Sequence, residues 1–430
     1  MKKSTVTQSI PFADAFKVWM KIGLLSFGGP AGQIATMHRL LVEEKGWLSE
    51  DSYLRALNFC MLLPGPEAQQ LATYAGWITH GVRGGIAAGL MFVLPGALVM
   101  LLLSYLYANF GAVPAVAGIF FGIKTAVLAI VAQALLKVCG RALKGRVSGA
   151  IAVVAFLSLA VLQIPFPIVV LSAGLLGALF FGKVSSLPEP NTSPNGGSLF
   201  PALVSAVLWA LPIGLAVLFL GSDNTLSQLG LFFSKIAMVT FGGAYAVLSY
   251  VGQQAVELYG WMAPGAMLDG LGLAETTPGP LVLVNVFVGF QAGFGSGTPF
   301  SPTVGGVLGA LMALWVTFAP SFLWIFAGAP HLDRIQANPK LAGALSAITA
   351  AVVGVIANLA LWFALQVLFE RQTRISIAWM ELDLPMWSSV NGAALVLTAL
   401  AFIALFRIKI GLLTLIVNAA CGGFLWQILS

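Results

Sequence analysis

Residues 89–107 read GLMFVLPGALVMLLLSYLY, nineteen residues without a single charge. An α-helix needs roughly 20 apolar residues to cross a hydrocarbon core of about 30 Å. Many such runs follow one another here, and charged residues make up only 8% of the 430. Soluble domains carry about 25%. The runs do not alternate apolar with polar, as the strands of a membrane barrel do. A helix satisfies its own backbone groups in lipid, so the expected fold class is an all-α integral membrane protein.

Apolar segments fall near 12–40, 52–80, 85–108, 114–138, 148–163 and 166–183, then near 199–221, 228–253, 264–294, 303–328, 341–369, 388–406 and 409–428. Between the two sets lies VSSLPEPNTSPNGGS, residues 184–198, the one clear linker. About 13 transmembrane helices are therefore expected. Lys2, Lys3, Arg83, Arg141, Lys144, Arg146, Lys183, Arg334, Lys340, Arg407 and Lys409 then share one side. By the positive-inside rule that side is cytoplasmic, with the N-terminus in. The net charge of +6 reads mainly as this topology. The charged stretch 38–55 and Arg371 and Arg374 fit less well. If segments 12–40 and 52–80 re-enter as hairpins, 38–55 moves inside. The basic N-terminus, MKKSTVTQSI, is not followed by the features of a removed signal peptide.

Two stretches place adjacent glycines inside apolar segments: LSFGGPAG at 25–32 and VTFGGAYA at 239–246. Within a helix each Gly costs about 1 kcal/mol relative to Ala, and Pro about 3 kcal/mol. The stretches belong to a duplication. A shift of 214 residues aligns Lys21–Pro66 with Lys235–Pro280 without a gap. Phe27, Gly28 and Gly29 meet Phe241, Gly242 and Gly243, and Pro64, Gly65 and Pro66 meet Pro278, Gly279 and Pro280. A shift of 225 continues the match, from Pro95 to Pro320 and from Gly118 to Gly343, because the second copy has the longer loop GFGSGTPFSPT. The expected organisation is an N-terminal repeat at 1–183, the linker, an extra orienting helix at 199–227 and a C-terminal repeat at 228–430. The extra helix turns the second copy over. Inverted repeats with broken helices point to a secondary transporter with its site near the membrane midplane.

The breaks carry the candidate chemistry. Two prolines around a glycine stop a regular helix. A helix that restarts presents free N–H groups and a positive dipole end, which suit an anion. Four breaks, two per repeat, are expected to meet near the pseudo-symmetry axis. The same glycines also suit close helix packing, and the in-register recurrence of both motifs favours the binding reading. Lys21 and Lys235 each lie six residues before their phenylalanine. A matched pair of intramembrane lysines suggests a divalent anion, with snorkelling as the alternative. Lys124 is a candidate third cation. Glu67 follows the first Pro-Gly-Pro and Glu275 precedes the second. They are candidates for carrying coupling protons, or for capping a broken helix or pairing with a Lys. Ser26, Thr240, Gln69, Gln70, Thr276, Thr277 and Asn285 offer hydroxyl or amide groups.

His38, His80 and His331 are scattered, and Cys60, Cys139 and Cys421 form neither a disulfide framework nor a metal spacing. No nucleotide loop or nucleophile elbow is present in the sequence. No enzymatic activity, cofactor, metal or nucleic-acid partner is expected, and energy should come from an ion gradient or the membrane potential.

With SFGGPAGQIATMHRLLVEEKGWLSED, LLPGPEAQQLATYAGW, FVLPGALVM, TFGGAYAVLSYV and TTPGPLVLVNVFVGF, the chain resembles the chromate ion transporter family in its long two-domain form. The resemblance spans nearly the whole length. It implies export of chromate across the cytoplasmic membrane and chromate resistance, with sulfate as the related oxyanion. One departure is Ala244 where the first copy has Pro30. Residue spacing does not separate chromate from sulfate, since both are tetrahedral dianions. The rival readings are a sulfate or other oxyanion transporter and, in another class, an anion channel. Expected partners are the oxyanion and the lipid bilayer, with a homodimer left open.

Overall fold

A computed structural model describes residues 10–27, 29–181, 199–241, 244–263, 265–295, 299–332, 335, 338–377 and 380–429. The expected linker at 184–198, Gly28, Gly242 and Gly243 lie outside the described residues. Helices dominate: α1 (Phe12–Leu25), α2 (Gly29–His38), α3 (Glu50–Cys60), α4 (Glu67–Phe110), α5 (Pro114–Ala142), α6 (Arg146–Ala160), α7 (Phe166–Phe180) and α8 (Leu199–Leu220). The second half continues with α9 (Thr225–Val239), α10 (Ala244–Gln253), α11 (Ala266–Thr276), α12 (Val284–Gly295), α13 (Pro302–Gly328), α14 (Pro339–Leu368), α15 (Gly392–Phe402) and α16 (Leu412–Leu429). Among the described residues, six helices are long and apolar enough to cross a membrane, and five shorter apolar ones accompany them. This is the all-α membrane architecture that the hydropathy predicts.

One exception departs from it. Residues beyond α14, expected as a loop, form an antiparallel hairpin of β1 (Gln372–Ile377) and β2 (Met380–Pro385). Its sequences, QTRISI and MELDLP, alternate polar with apolar at period 2, which suits a strand and not a span.

The segments 12–40 and 52–80 are each built from short pieces. α1 has 14 residues and α2 has 10. At 1.5 Å per residue the longer is about 21 Å, short of a hydrocarbon core of about 30 Å. α4 contains a sharp turn at His80 and Gly81, where φ is −139° and +62°. The limb Glu67–Thr79 is consequently as short as α1.

The duplication persists in the backbone. α2 runs into a π-helical turn at Arg39–Glu44, and α10 into one at Gln254–Leu258. Each ends at a glycine with positive φ, 59° at Gly46 and 61° at Gly260, a common way to stop a helix. The Trp47 amide donates to the Leu41 carbonyl at 2.8 Å and the Trp261 amide to Ala255 at 2.7 Å, again 214 residues apart.

The chain condenses into two compact units. One comprises Met1–Leu102, Gly182–Gly243 and Thr277–Ala342, the other Leu103–Phe181, Ala244–Thr276 and Gly343–Ser430. Each unit takes segments from both sequence repeats. In the first, α12 and α13 pack backbone to backbone, and a Cβ at Gly289 would stand 2.4 Å from the Gly309 carbonyl oxygen. In the second, α5 and α16 do the same, with a Cβ at Gly122 only 1.8 Å from the Ala419 carbonyl oxygen. Small residues let helix backbones approach where lipid offers no hydrophobic drive.

Gly122→Ala should force α5 from α16 and lower the thermal midpoint in detergent, at a cost of about 1–3 kcal/mol. Gly140→Ala, on the same helix with nothing within 4 Å of its Cβ position, should not.

Outside the apolar spans, His38 binds two carboxylates, Glu43 at 3.1 Å and Glu50 at 2.6 Å. The Glu50 hydrogen bond raises the His38 pKa above its ordinary value, with Glu43 adding to it. A raised histidine pKa stabilises the fold while the ring is protonated, and that contribution fades as pH climbs through the raised value. The stability difference between wild type and His38→Gln should therefore shrink as pH rises above about 6.5. A difference that grows with pH would contradict the assignment.

Candidate functional site

In each Pro-Gly-Pro triplet the prolines have no N–H, so the glycine owns the only amide donor. Both glycines adopt positive φ, 116° at Gly65 and 100° at Gly279, a region that L side chains rarely occupy. This turns each amide toward the other repeat. The Gly65 N–H donates to the Thr240 carbonyl at 2.8 Å, and the Gly279 N–H to the Ser26 carbonyl at 2.7 Å. Ser26 and Thr240 are the residues just before the two Phe-Gly-Gly motifs. Each Pro-Gly-Pro is thus tied to the glycine break of the opposite copy. All of these residues belong to the first unit.

Local chemistry prepares the carbonyls. The Ser26 hydroxyl donates to the Ile22 carbonyl and the Thr240 hydroxyl to the Ile236 carbonyl, each at 2.6 Å. Such back-bonding closes the last turn of α1 and α9 and turns the chain out of the helix. Both side chains are buried.

Glutamines fill in the rest. Gln33 Nε2 donates to the Gly279 carbonyl at 2.6 Å, and Gln70 Nε2 to the Pro64 carbonyl at 2.7 Å. Gln69 Nε2 reaches the Phe318 carbonyl at 3.4 Å, and Asn285 Nδ2 reaches Thr317 Oγ1 at 3.2 Å. Two further positions complete the symmetry. A Cβ at Gly96 would stand 1.8 Å from the Pro278 carbonyl oxygen, so α4 passes against the second triplet. Ser321, related to Gly96 by the 225-residue shift, lies beside the first, with its hydroxyl 3.5 Å from where a Gly65 Cβ would be. Gln33, Gly96 and Ser321 were not among the expected site residues. The signal for Gly96 and Ser321 is the second-shift register, in which each follows a matched proline, Pro95 or Pro320; Gln33 has only its place in the short helix after the first glycine break.

The expected residues distribute as follows. The Gly65 and Gly279 amides, expected to face an anion, are engaged by carbonyls. Pro66 and Pro280 are buried, and Pro64 and Pro278 half-buried. Thr277 is buried, Phe27 and Phe241 half-buried, and Gly29 starts α2 with φ of 73°. Glu67 stands in the first turn of α4, where its charge complements the helix dipole. Lys21 is more than half exposed and lies 4.0 Å from Glu44. Lys235 is likewise exposed.

The second unit holds Lys124 and Glu275. Lys124 is not an unmatched cation: its Nζ lies 3.2 Å from Asp269 Oδ2, and the Asp269 carboxylate also accepts the Tyr107 hydroxyl at 2.8 Å. Glu275, buried, accepts the hydroxyl of Tyr245. α11 therefore carries two buried carboxylates, each bonded to a tyrosine.

A family model described as chromate transporter matches residues 13–178 and 227–425, both halves of the chain. The protein belongs to the chromate transporter family. A chromate transport protein of Pseudomonas aeruginosa is 31% identical over 97% of this chain and 94% of its own. A chromate transport protein of Cupriavidus metallidurans is 28% identical over 79% of each. An uncharacterized transporter of Bacillus subtilis is 29% identical and matches 44% of this chain with 97% of its own length, the size of one repeat. No solved structure matches the chain.

Gly65→Ala and Gly279→Ala should each reduce transport of the family's substrate at least tenfold, because positive φ costs a side chain about 1–3 kcal/mol and relief of that strain turns the amide away from its cross-repeat carbonyl. Flux at wild-type level in either variant, at equal amounts in the membrane, would show that the positive-φ turn tolerates a side chain and is not what holds the site.

Proposed function

We propose that this protein is a secondary transporter that exports chromate across the cytoplasmic membrane and so confers chromate resistance. The observation that carries the reading is the reciprocal tie between the broken segments of the two repeats, in a chain of the chromate transporter family. Relatives named chromate transport proteins match most of its length. Broken helices that are buried in protein and joined across repeats suit a substrate site, because non-helical backbone at membrane depth survives only in such places.

The anion is held by the amides of the first turns after the breaks, at Gly29 and Ala31 entering α2, after Pro66 entering α4, and after Pro280. The Gly65 and Gly279 amides instead fix the scaffold. Lys21 and Lys235, at matched positions, contribute positive charge toward a dianion. Ser26, Thr240, Gln33, Gln69 and Gln70 hold the breaks in shape. Export follows from charge. An inside-negative potential drives anions outward with about 2.3 kcal/mol per charge per 100 mV. No nucleotide chemistry is then required. Alternating access comes from movement of the repeat elements about the breaks.

The test is chromate uptake into everted membrane vesicles under an imposed potential, with sulfate as competitor. Potential-dependent chromate accumulation is expected, and Lys21→Ala combined with Lys235→Ala should reduce it at least tenfold with the protein still folded. Undiminished flux removes the two lysines from the site. Sulfate flux without chromate flux overturns the substrate assignment and leaves an oxyanion transporter of different selectivity.

A further inference from the structure

The Lys124 pair in the second unit has no place in the scheme above. Asp269 is 2% exposed, in a helix whose other residues from Ala266 to Glu275 are also buried. One carboxylate oxygen, Oδ2, takes both the Lys124 ammonium and the Tyr107 hydroxyl. The other, Oδ1, is buried and has no hydrogen-bond partner among the described residues. A buried charged oxygen left unbonded is costly. A proton on Oδ1 removes the charge. Lys124 differs from its partner in being 27% exposed at the side chain. Beside it Gly265 has no side chain, and a Cβ there would stand 2.9 Å from Nζ, so the ammonium keeps open space on that side.

We propose that Asp269 is a proton-binding site that frees Lys124 to contact the transported anion within the second unit. The inference rests on the transport reading above. When Asp269 is ionised, its charge cancels that of Lys124. A proton entering on Oδ1 leaves a neutral acid, still bonded to Tyr107, and releases the Lys124 ammonium to take an oxyanion oxygen. Anion and proton then each favour the other's binding, by reciprocal linkage. One proton travels with each dianion, the net charge moved per cycle is −1, and an inside-negative potential still favours export.

The charged and titratable groups against Asp269 among the described residues are Lys124 from α5 and Tyr107 from α4. α16 also packs on α11, but it carries no charged residue and its one cysteine, Cys421, is exposed. Both members of the pair break the repeat symmetry. The counterpart of Asp269 is Arg55, which pairs locally with Asp51 at 3.2 Å, and that of Lys124 is Thr349. Neither change alone would make a pair.

The experiment uses the full-length protein in liposomes, with chromate or sulfate flux and lumen pH recorded together. Wild type should move about one proton with each anion, and its equilibrium accumulation should shift about tenfold per pH unit of gradient. Asp269→Asn, which mimics the protonated acid, should still move the anion but without protons and without response to the gradient. Asp269→Glu should retain proton movement. If Asp269→Asn does not fold, Tyr107→Phe, which takes one hydrogen bond from the Asp269 carboxylate and leaves Lys124 in place, should keep anion flux and shift its pH dependence to higher pH, and an unchanged pH dependence overturns the proposal. Wild type that moves the anion without protons, or an Asn variant that still moves them, overturns the proposal and leaves the transport reading intact. Wild type that moves neither anion overturns both.

Discussion

Everything at the breaks depends on two amides. A Pro-Gly-Pro triplet inside lipid has three peptide units and one N–H, and that donor must find an acceptor within the protein. It finds one 175 residues or more away along the chain, on the opposite repeat: Thr240 for Gly65, Ser26 for Gly279. The bond needs positive φ, which explains glycine at the centre. It also needs a carbonyl that its own helix has stopped using, which explains the serine and threonine. Their hydroxyls take the Ile22 and Ile236 carbonyls, so the chain leaves the helix and the next carbonyl faces out. Separating the two copies at this point would leave a buried donor and a buried acceptor unsatisfied, each worth about 1–3 kcal/mol in a protein interior. The repeats are therefore joined where they are least helical.

That arrangement accounts for the short helices. α1, α2, α3 and the first limb of α4 are each too short to cross, yet together they carry one half of both ties. Their ends are where backbone groups become available, and buried glutamines from the adjoining turns take up part of what is released. Membrane helices that run uninterrupted, such as α5 and α14, keep their backbone groups for their own turns. The packing between α5 and α16, or α12 and α13, rests on glycine stripes instead.

The all-α membrane class, the duplication and the four breaks were legible because each is a pattern: long apolar runs, a constant register, and paired Gly and Pro at cost. The hairpin at Gln372–Pro385 was legible in its alternation, though it was read as a loop between spans. The two compact units were not legible, since each draws on both repeats and register says nothing of which segments pack. Nor were the bonds at Gly65 and Gly279, because a free amide and an engaged one share the same sequence. Asp269 escaped for a different reason. It adjoins neither glycine motif nor Pro-Gly-Pro, and its register mate is an arginine that faces another partner.

Symmetry and its failure do different work here. Two copies related by inversion, as the sequence reading expects, would build the same site from either face, and an exact pair would favour neither direction of access. The Ser26/Thr240 ties obey the relation almost atom for atom, so they suit a scaffold that must serve both states. The buried acids do not obey it. Asp269 faces Arg55 across the register, Glu275 faces Met61, Tyr107 faces Leu332, and Tyr245 faces Ala31. Both tyrosine–carboxylate pairs and the lysine beside one of them are private to the second unit. On the transport reading, any difference in anion affinity between inward and outward states has to come from residues of this kind. A cycle built only on the symmetric glycines and lysines would let the anion run down its gradient in either direction with equal ease.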